Sequence, residues 1–522
     1  MAPIEPTSYD QVPYTSRAFP QTHPDRLATV ARIFGVATPD IAACRVLELG
    51  CASGGNLIPM AFNLPGSEFV GVDLSRHQVD DGRAAIRGLG LSNVRIEHAS
   101  ILDIGADWGA FDYIICHGVF SWVEPPVQDK ILQIARHNLS AAGVAYVSYN
   151  TYPGWHMREM VRHMMRYHTR QFDEPGEQIE QARALLAFLA SASGDSGPYS
   201  DLLTREIERL SRASDSYLFH EHLEQTNTPI YFHQFIERAG QAGLLYLSEA
   251  SISDMLSSHF QQPVAETIER ISPDILHLEQ YMDFVRNRLF RQTLLVHDTV
   301  KPKRALTPAL MHGLLLSTRA LPDVVPVDLS AGTSVEFSNG RQRADVSLSA
   351  TKAAFTLLGE AWPRAVAVDE LCAAALDRAR PFLGEIPAAD AQRALMGDLF
   401  GAVIHGMIEL HTQSPPCTNT PSATPRASGL AAHQAQGGTL VVNAHHQMVE
   451  LERLGAEVLK LANGERTKEE ILDVLMMRVT TGEIVLEENG HPVTAPGAAR
   501  AMVARRLEKT LASLARSAVL VG

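Results

Sequence analysis

Two acidic residues flank a glycine-rich turn near the amino terminus. Glu48 sits in the run RVLELGCASGGN (residues 45–56), inside the apolar stretch Val46–Leu49 and just ahead of Gly50, Gly54 and Gly55. A second apolar run, Phe69-Val70-Gly71-Val72, ends in Asp73. A strand, a glycine turn, a helix and an acid closing the next strand make a nucleotide-cofactor site. Gly50 lets the chain turn sharply off the first strand, and Gly54 and Gly55 let backbone approach a ligand. Asp73 can accept both hydroxyls of a ribose. Glu48 discriminates between cofactors. The pyrophosphate of a dinucleotide repels a carboxylate at that position, whereas S-adenosylmethionine (SAM) carries an ammonium and a sulfonium that an acid favours. Gly50, Ala52 and Gly55 also fit a degenerate GxGxxG, the dinucleotide alternative. The full series of strand, acid, glycines, strand and acid points to SAM.

The elements that must hold these residues follow from the hydrophobic pattern. Short apolar runs at 44–49, 68–72, 94–97, 113–116 and 144–149 suit parallel strands covered on both faces. Helical stretches lie between them, at 76–89 and 126–139, which is doubly wound α/β order. A long helix is expected at 155–170, with mostly helical sequence to about 225. Strand patterns return at 244–250 and 292–296, after helices at 231–239 and 275–285. Beyond Val300, short β-like pieces (334–338, 344–347) alternate with helices (351–360, 368–378), which suggests a winged-helix-like module. Ser414 to Gly429 reads as a Pro/Ser/Thr-rich linker. Helices are expected again at 448–461, 468–477 and 498–515.

A chain of 522 residues exceeds one compact core, so two or three domains are expected. The net charge of −14 argues against a general nucleic-acid binder. Five scattered cysteines without a CxxC pair indicate neither a disulfide framework nor a thiolate metal site. The start MAPIEPTSYDQVPY has no signal-peptide pattern, and no apolar stretch is long enough to span a bilayer. A cytoplasmic location is the simplest reading. Oligomeric state is left open.

The chain resembles the Rossmann-fold (class I) SAM-dependent methyltransferases that carry a "methyltransferase regulatory domain", a group that includes lysine methyltransferases of rickettsial outer-membrane proteins. The residues carrying the resemblance are YDQVPYTSRAFPQTHPDRL (9–27), ELGCASGGNLIPMA (48–61), VGVDLS (70–75), FDYIICHGVFSWV (111–123), YNTYPGW (149–155) and HEHLEQTNTPIYFHQF (220–235). It implies an α/β fold: a Rossmann-like doubly wound methyltransferase sheet with a reversed closing hairpin and a helical insertion, plus mainly helical, winged-helix-like C-terminal modules. The expected divisions are an N-terminal cap segment (1–43), a methyltransferase domain (44–300, with the insertion at about 171–225 and the regulatory region at about 215–300), a winged-helix-like domain (301–413), a linker (414–429) and a helical domain (430–522). The resemblance implies SAM binding by Glu48, Gly50, Ala52, Gly54, Asn56, Asp73, Leu74, Ser100, Ile101, His117, Gly118 and Tyr14. It further implies methyl transfer to a protein amine, with lysine the expected acceptor. Two positions depart from the common pattern. Ala52 replaces the usual second glycine of the loop. Ser100 replaces the acid that many such enzymes use to hold the adenine amino group.

Methyl transfer from a sulfonium is an in-line displacement that needs alignment and a neutral amine, and no metal. A lysine of pKa about 10.4 must lose a proton on entering the site. His117 is a candidate cofactor contact or proton acceptor, against the simpler reading of a structural histidine. Tyr149, Tyr152 and Trp155, with Asn150, could line an amine channel or pack around Pro153-Gly154. Phe120 and Trp122 could wall the pocket or pack in the core. Tyr9, Tyr14 and His23 could cap the cofactor or strap the N-terminus down. Arg158, Arg162, Arg166 and Arg170 recur along one helix, which favours a solvated face over a site for an acidic surface. His220, His222, His445 and His446 lack companions at metal-site spacing, so no metal is expected. The competing functions are methylation of a protein lysine, methylation of a small molecule or ribosomally made peptide, and a non-catalytic SAM-binding regulator.

Overall fold

The computed structural model describes residues 12, 16–192, 197–485, 487–488, 491–492 and 495–522, and divides the chain into two units. The first comprises Phe34–Lys303 with the described residues up to Arg17. The second comprises Ala18–Ile33 with Arg304–Gly522. Tyr9 and Tyr14 lie outside the described residues.

The first unit is built on a seven-stranded sheet of order β3-β2-β1-β4-β5-β7-β6. Its strands are β1 (Arg45–Leu49), β2 (Glu68–Asp73), β3 (Val94–His98), β4 (Phe111–Cys116), β5 (Leu139–Asn150), β6 (Leu244–Glu249) and β7 (Phe290–His297). The pairings β1–β2, β1–β4, β2–β3 and β4–β5 are parallel, whereas β7 runs antiparallel to both β5 and β6. The reversed hairpin therefore closes the same sheet. Strand order reverses between β1 and β4, which opens a crevice at the carboxyl ends, where open α/β sheets bind ligands. Leu47, Leu49, Val70, Val72, Ile114 and Val147 form part of one buried core, which the covering helices complete. The helix Arg76–Leu89 shows how local sequence fixes these covers. Ser75 Oγ caps Gln78 N at 3.3 Å, and Gly90 ends the helix at φ +65°, a conformation that glycine adopts without strain. β5 starts five residues before the expected 144. Its first turn, Leu139-Ser140-Ala141-Ala142-Gly143, lacks β-branched residues and joins the strand only through pairing with Phe111.

After the helix Trp155–Thr169 the insertion is helical too, with Pro175–Ala192 and Pro198–Ser211, and the three helices pack a separate small core around Val161, Met165, Leu186 and Leu203. A π-turn, Phe219–Leu223, follows. The arginine stripe on the first of these helices is not a solvated face. Arg162 is buried and donates to the Glu224 carbonyl. Burial lowers the pKa of both Arg158 and Arg162, and neighbouring arginines lower them further. Only Arg170 of the four is exposed.

A buried ionic network locks the closing hairpin. Arg291 on β7 is fully buried and donates to Glu249 Oε1 (2.9 Å), Glu279 Oε2 (3.0 Å) and both oxygens of Asp283 (2.8 Å each). Its guanidinium also lies 3.8 Å from the centroid of the Phe232 ring. Each charge here is desolvated, so the network holds only while all partners are present.

In the second unit, the helices Ser349–Ala361, Val368–Ala379 and Ala388–Ile404 pack beside a three-stranded sheet of Leu315–Ser317, Val366–Ala367 and Glu409–His411. The segment expected as a linker is partly structured: Arg426-Ala427 pairs with Leu520-Val521, and a helix starts at Gly429. The expected helix 448–461 is a strand, Met448–Glu450, followed by the helix Arg453–Leu461. Pairing of Val449 with Val441 overrides the helical spacing of that run. Together with Lys468–Thr480 and Pro496–Arg516, these elements share a continuous apolar core. His23, expected over the cofactor, belongs to this unit. Its ring packs against His446 at 5.2 Å, and burial lowers its pKa to about 4.

Candidate active site

The glycine loop leaves β1 with three conformations that side chains rarely adopt: Gly50 (φ +71°), Ala52 (φ +47°) and Gly54 (φ +76°). A Cβ on Gly50 would lie 2.4 Å from Val119 Cγ2, and one on Gly54 would lie 2.8 Å from Ile96 Cδ1, so both positions require glycine. Ala52 keeps the left-handed turn although its methyl strains it. The loop is pinned to β2, because Asp73 accepts from Ala52 N (2.8 Å, Oδ2) and from Ser75 N (2.9 Å, Oδ1). Each carboxylate oxygen has a second lone-pair direction, so Asp73 can serve the loop and a ribose together.

Glu48 is 3 % exposed, and Asn56 Nδ2 donates to its Oε1 at 2.7 Å. Its Oε2 is buried and has no hydrogen-bond partner among the described residues. Burial pushes the Glu48 carboxyl up to about 8, with the Asn56 amide opposing and Asp73 adding to the rise. A buried acceptor without a donor is costly to leave unmade. A cationic ligand group would satisfy it, and a pyrophosphate would not. Asn56 thus serves Glu48, and no side-chain cap of the following helix forms.

The N-terminal segment lies on this loop. Ser16 Oγ accepts from Gly55 N at 2.8 Å, and a Cβ on Gly55 would fall 2.7 Å from the Ser16 carbonyl carbon. Further back, the Val12 carbonyl lies 2.6 Å from His220 Nε2. His220 and His222 are engaged with Glu224 and Arg209 respectively.

At the ends of β2 and β3, Leu74 and Leu102 stay 41 % and 50 % exposed, while Ile101 is buried in the core. Ser100 Oγ accepts from Leu102 N at 3.2 Å and so shapes this loop. Leu102 was not singled out from the sequence, because nothing in its neighbours marks it as exposed. After β4, His117 Nδ1 meets Tyr146 Oη at 2.9 Å, and burial lowers the imidazole to about 4. Gly118 N donates to Ser148 Oγ at 2.8 Å.

The residues after β5 divide. Tyr149 is fully buried; its ring stacks on Phe235 at 4.1 Å and its hydroxyl meets Thr293 Oγ1 at 3.1 Å. Trp155 is buried edge-to-face against Trp122 at 6.2 Å. Phe120 is likewise core, against Phe235. The structure thus packs these rings inside rather than around an opening. Tyr152 is different. It is half-buried, donates to Glu159 Oε2 at 2.7 Å, stacks on His156 at 4.0 Å and lies 5.2 Å from Tyr231. His156 Nε2 meets Tyr231 Oη at 3.0 Å. Two tyrosines, an imidazole and a carboxylate therefore converge beside the end of β5. Asn150 stays with Asn227, bonded at 2.9 Å.

Three family patterns match the chain: "Methyltransferase domain" over residues 47–145, "Predicted methyltransferase regulatory domain" over 214–297, and "PKMT, C-terminal winged helix domain" over 423–519. The structure of PKMT2 from Rickettsia typhi in complex with AdoHcy is similar over 98 % of this chain and 100 % of that one, with a TM-score of 0.88 and 30 % identity. The Rickettsia prowazekii protein RP789 is 35 % identical over 497 residues, 93 % of this chain and 88 % of its own. The chain belongs to the rickettsial PKMT2 family of SAM-dependent methyltransferases. Its cofactor is SAM, and the orphaned Glu48 oxygen and the glycine-lined turn fit that cationic donor. The winged-helix pattern falls at 423–519, later than the 301–413 module in which the sequence placed wing-like pieces. The regulatory pattern covers β6 and β7 of the catalytic sheet.

Proposed function

We propose that this methyltransferase acts on lysine side chains of a protein substrate. When bound, SAM supplies a methyl group on a sulfonium sulfur. Glu48, Gly50, Ala52, Gly54, Asn56, Asp73, Leu74, Ser100, Ile101, His117 and Gly118 would hold it, Tyr14 lying outside the described residues. Asp73 would take the ribose, Glu48 the ammonium, and the exposed Leu74 and Leu102 the adenine faces. His117, neutral at physiological pH, presents no charge to repel a cationic donor. With its pKa near 4 it is too weak a base to take a proton from lysine, so its role lies on the cofactor side.

One observation carries the lysine reading: the cluster of Tyr152, Tyr231, His156 and Glu159 at the end of β5. Aromatic faces and a carboxylate attract an ammonium. Tyr152 donates its own proton to Glu159, so its oxygen keeps lone pairs for an amine N–H. Burial and Glu159 together hold the Tyr152 phenol well above its usual range, so it stays neutral. At the transfer point the amine would stand beside a sulfonium and away from bulk water, and both favour loss of its proton. The likeness to PKMT2, together with the motifs that resemble those of lysine methyltransferases, supports the same acceptor. Tritiated SAM added with the purified protein to a cell lysate tests this. Label in protein bands supports the reading, and label confined to small solutes overturns it.

A further inference from the structure

The geometry points to a zinc site in the second unit, made by Glu409, His411 and His445. Their ligand atoms lie within 4.8 Å of one another. Tetrahedral zinc with nitrogen and oxygen ligands at about 2.0–2.1 Å places neighbouring ligand atoms about 3.3 Å apart. Small side-chain rotations therefore close the site. Glu409 and His411 stand two apart on one strand and so share a face, while His445 arrives from the turn between Leu440–Val442 and Met448–Glu450.

Each imidazole is already fixed in a tautomer that leaves one bare nitrogen. Asp25 can only accept, so the His411 Nδ1–H donates to its Oδ2 at 2.9 Å. That pairing leaves His411 Nε2 as the ligand atom, now accepting from the Ser317 hydroxyl at 2.8 Å. A single rotatable hydroxyl turns aside readily. A carboxylate behind a histidine is the usual outer support of a zinc ligand. The Pro363 carbonyl likewise can only accept, so the His445 Nε2–H donates to it at 2.8 Å. The remaining nitrogen, His445 Nδ1, has no hydrogen-bond partner among the described residues, on a side chain 1 % exposed. It lies 4.0 Å from Glu409 Oε2, too far for a hydrogen bond and close enough to share an ion.

Asp25 is itself held, by Thr412 N at 2.7 Å and Thr412 Oγ1 at 2.6 Å. Arg26 and Arg319 also bear on Glu409, so the two acids and two guanidiniums leave the pocket near neutral. A hard ion such as calcium or magnesium needs several charged oxygens, whereas zinc binds well to two imidazoles and one carboxylate. Three protein ligands leave a fourth position for water. Bound there, zinc would clasp the winged-helix segment carrying His445 to the strand Glu409–His411 and the helix Pro24–Ile33, all within one unit. Sequence spacing hid the site, because His445 lies 34 positions beyond His411.

The test uses the full-length, tag-free protein, stripped with chelator and titrated with Zn²⁺ and Co²⁺. We expect one zinc per chain and the intense visible bands of four-coordinate Co²⁺. Glu409→Gln, at a half-exposed position that should fold normally, should lose the Co²⁺ bands and weaken zinc at least tenfold. Asp25→Asn should weaken zinc by about 10- to 100-fold through its support of His411. Failure to bind zinc near one equivalent, weak six-coordinate Co²⁺ bands, or equal affinity in wild type and Glu409→Gln would each overturn the assignment.

Discussion

Glu48 makes SAM binding depend on pH in a calculable way. Without ligand its carboxyl titrates near 8, raised by burial from an ordinary 4.5. At pH 7 about nine in ten molecules therefore hold Glu48 neutral, and ionising it costs about 1.4 kcal/mol. An ammonium at Oε2 favours the ionised form, so binding must release a proton. Affinity for SAM should rise by up to tenfold between pH 6 and pH 7. Calorimetry between pH 6 and 7.5, in buffers of different ionisation enthalpy, reads both the slope and the proton count. That window stays below the donor's own amine, which titrates near ~8. Glu48→Gln should abolish the slope and the proton release, and should bind more weakly than wild type at pH 7.5. The same group acts on stability with the opposite trend. An acid whose folded pKa is raised contributes stability that is complete below about 4.5 and lost as pH climbs through about 8. The ligand-free protein should lose roughly 3 kcal/mol by pH 7 from this group alone. Glu221 and Glu279, both raised to about 7 by burial, add in the same direction, so the difference between wild type and Glu48→Gln is the readout. Tight SAM binding with no proton release and no slope would refute the reasoning.

Three further outcomes are expected. Ala52→Gly should stabilise the protein by roughly 0.5–1 kcal/mol in a denaturant titration, because left-handed backbone strains alanine by more than glycine's extra chain entropy. Arg291→Met should destabilise the first unit by about 3–5 kcal/mol in the same assay, since buried Glu279 would lose its ion-pair partner and Glu249 and Asp283 would share only Arg288. Glu159→Gln should lower kcat/KM for a lysine-containing acceptor by about 10- to 100-fold, the worth of a charge-assisted hydrogen bond, with Tyr152→Phe nearer tenfold. Neither should change the Kd for SAM.

The cofactor loop was legible because its logic is local. Glu48, Gly50 and Asp73 announce a turn, a charge and a strand end within one β-α-β unit, and the sheet order that follows is fixed by chain chirality. The closing hairpin was legible for a similar reason, as two apolar runs with a known partner sheet. The amine-binding residues were less so. Tyr149 and Trp155 are aromatic like Tyr152, yet Phe235 and Trp122, distant in sequence, bury the first two while the third stays half-buried. Glu159 reaches Tyr152 from the second turn of the helix that follows it, whereas Tyr231 arrives only after the helical insertion returns the chain to the sheet, a juxtaposition that no motif encodes. The arginine stripe failed as a surface reading because a helical period reports which residues share a face, and not what covers that face.

The acceptor itself is the most direct test. Protein labelled by the purified enzyme and tritiated SAM should be hydrolysed and its labelled amino acids separated. The account predicts that label elutes as N-methylated lysines. Label eluting as methylated arginine or histidine, or lost as a base-labile ester, would contradict it.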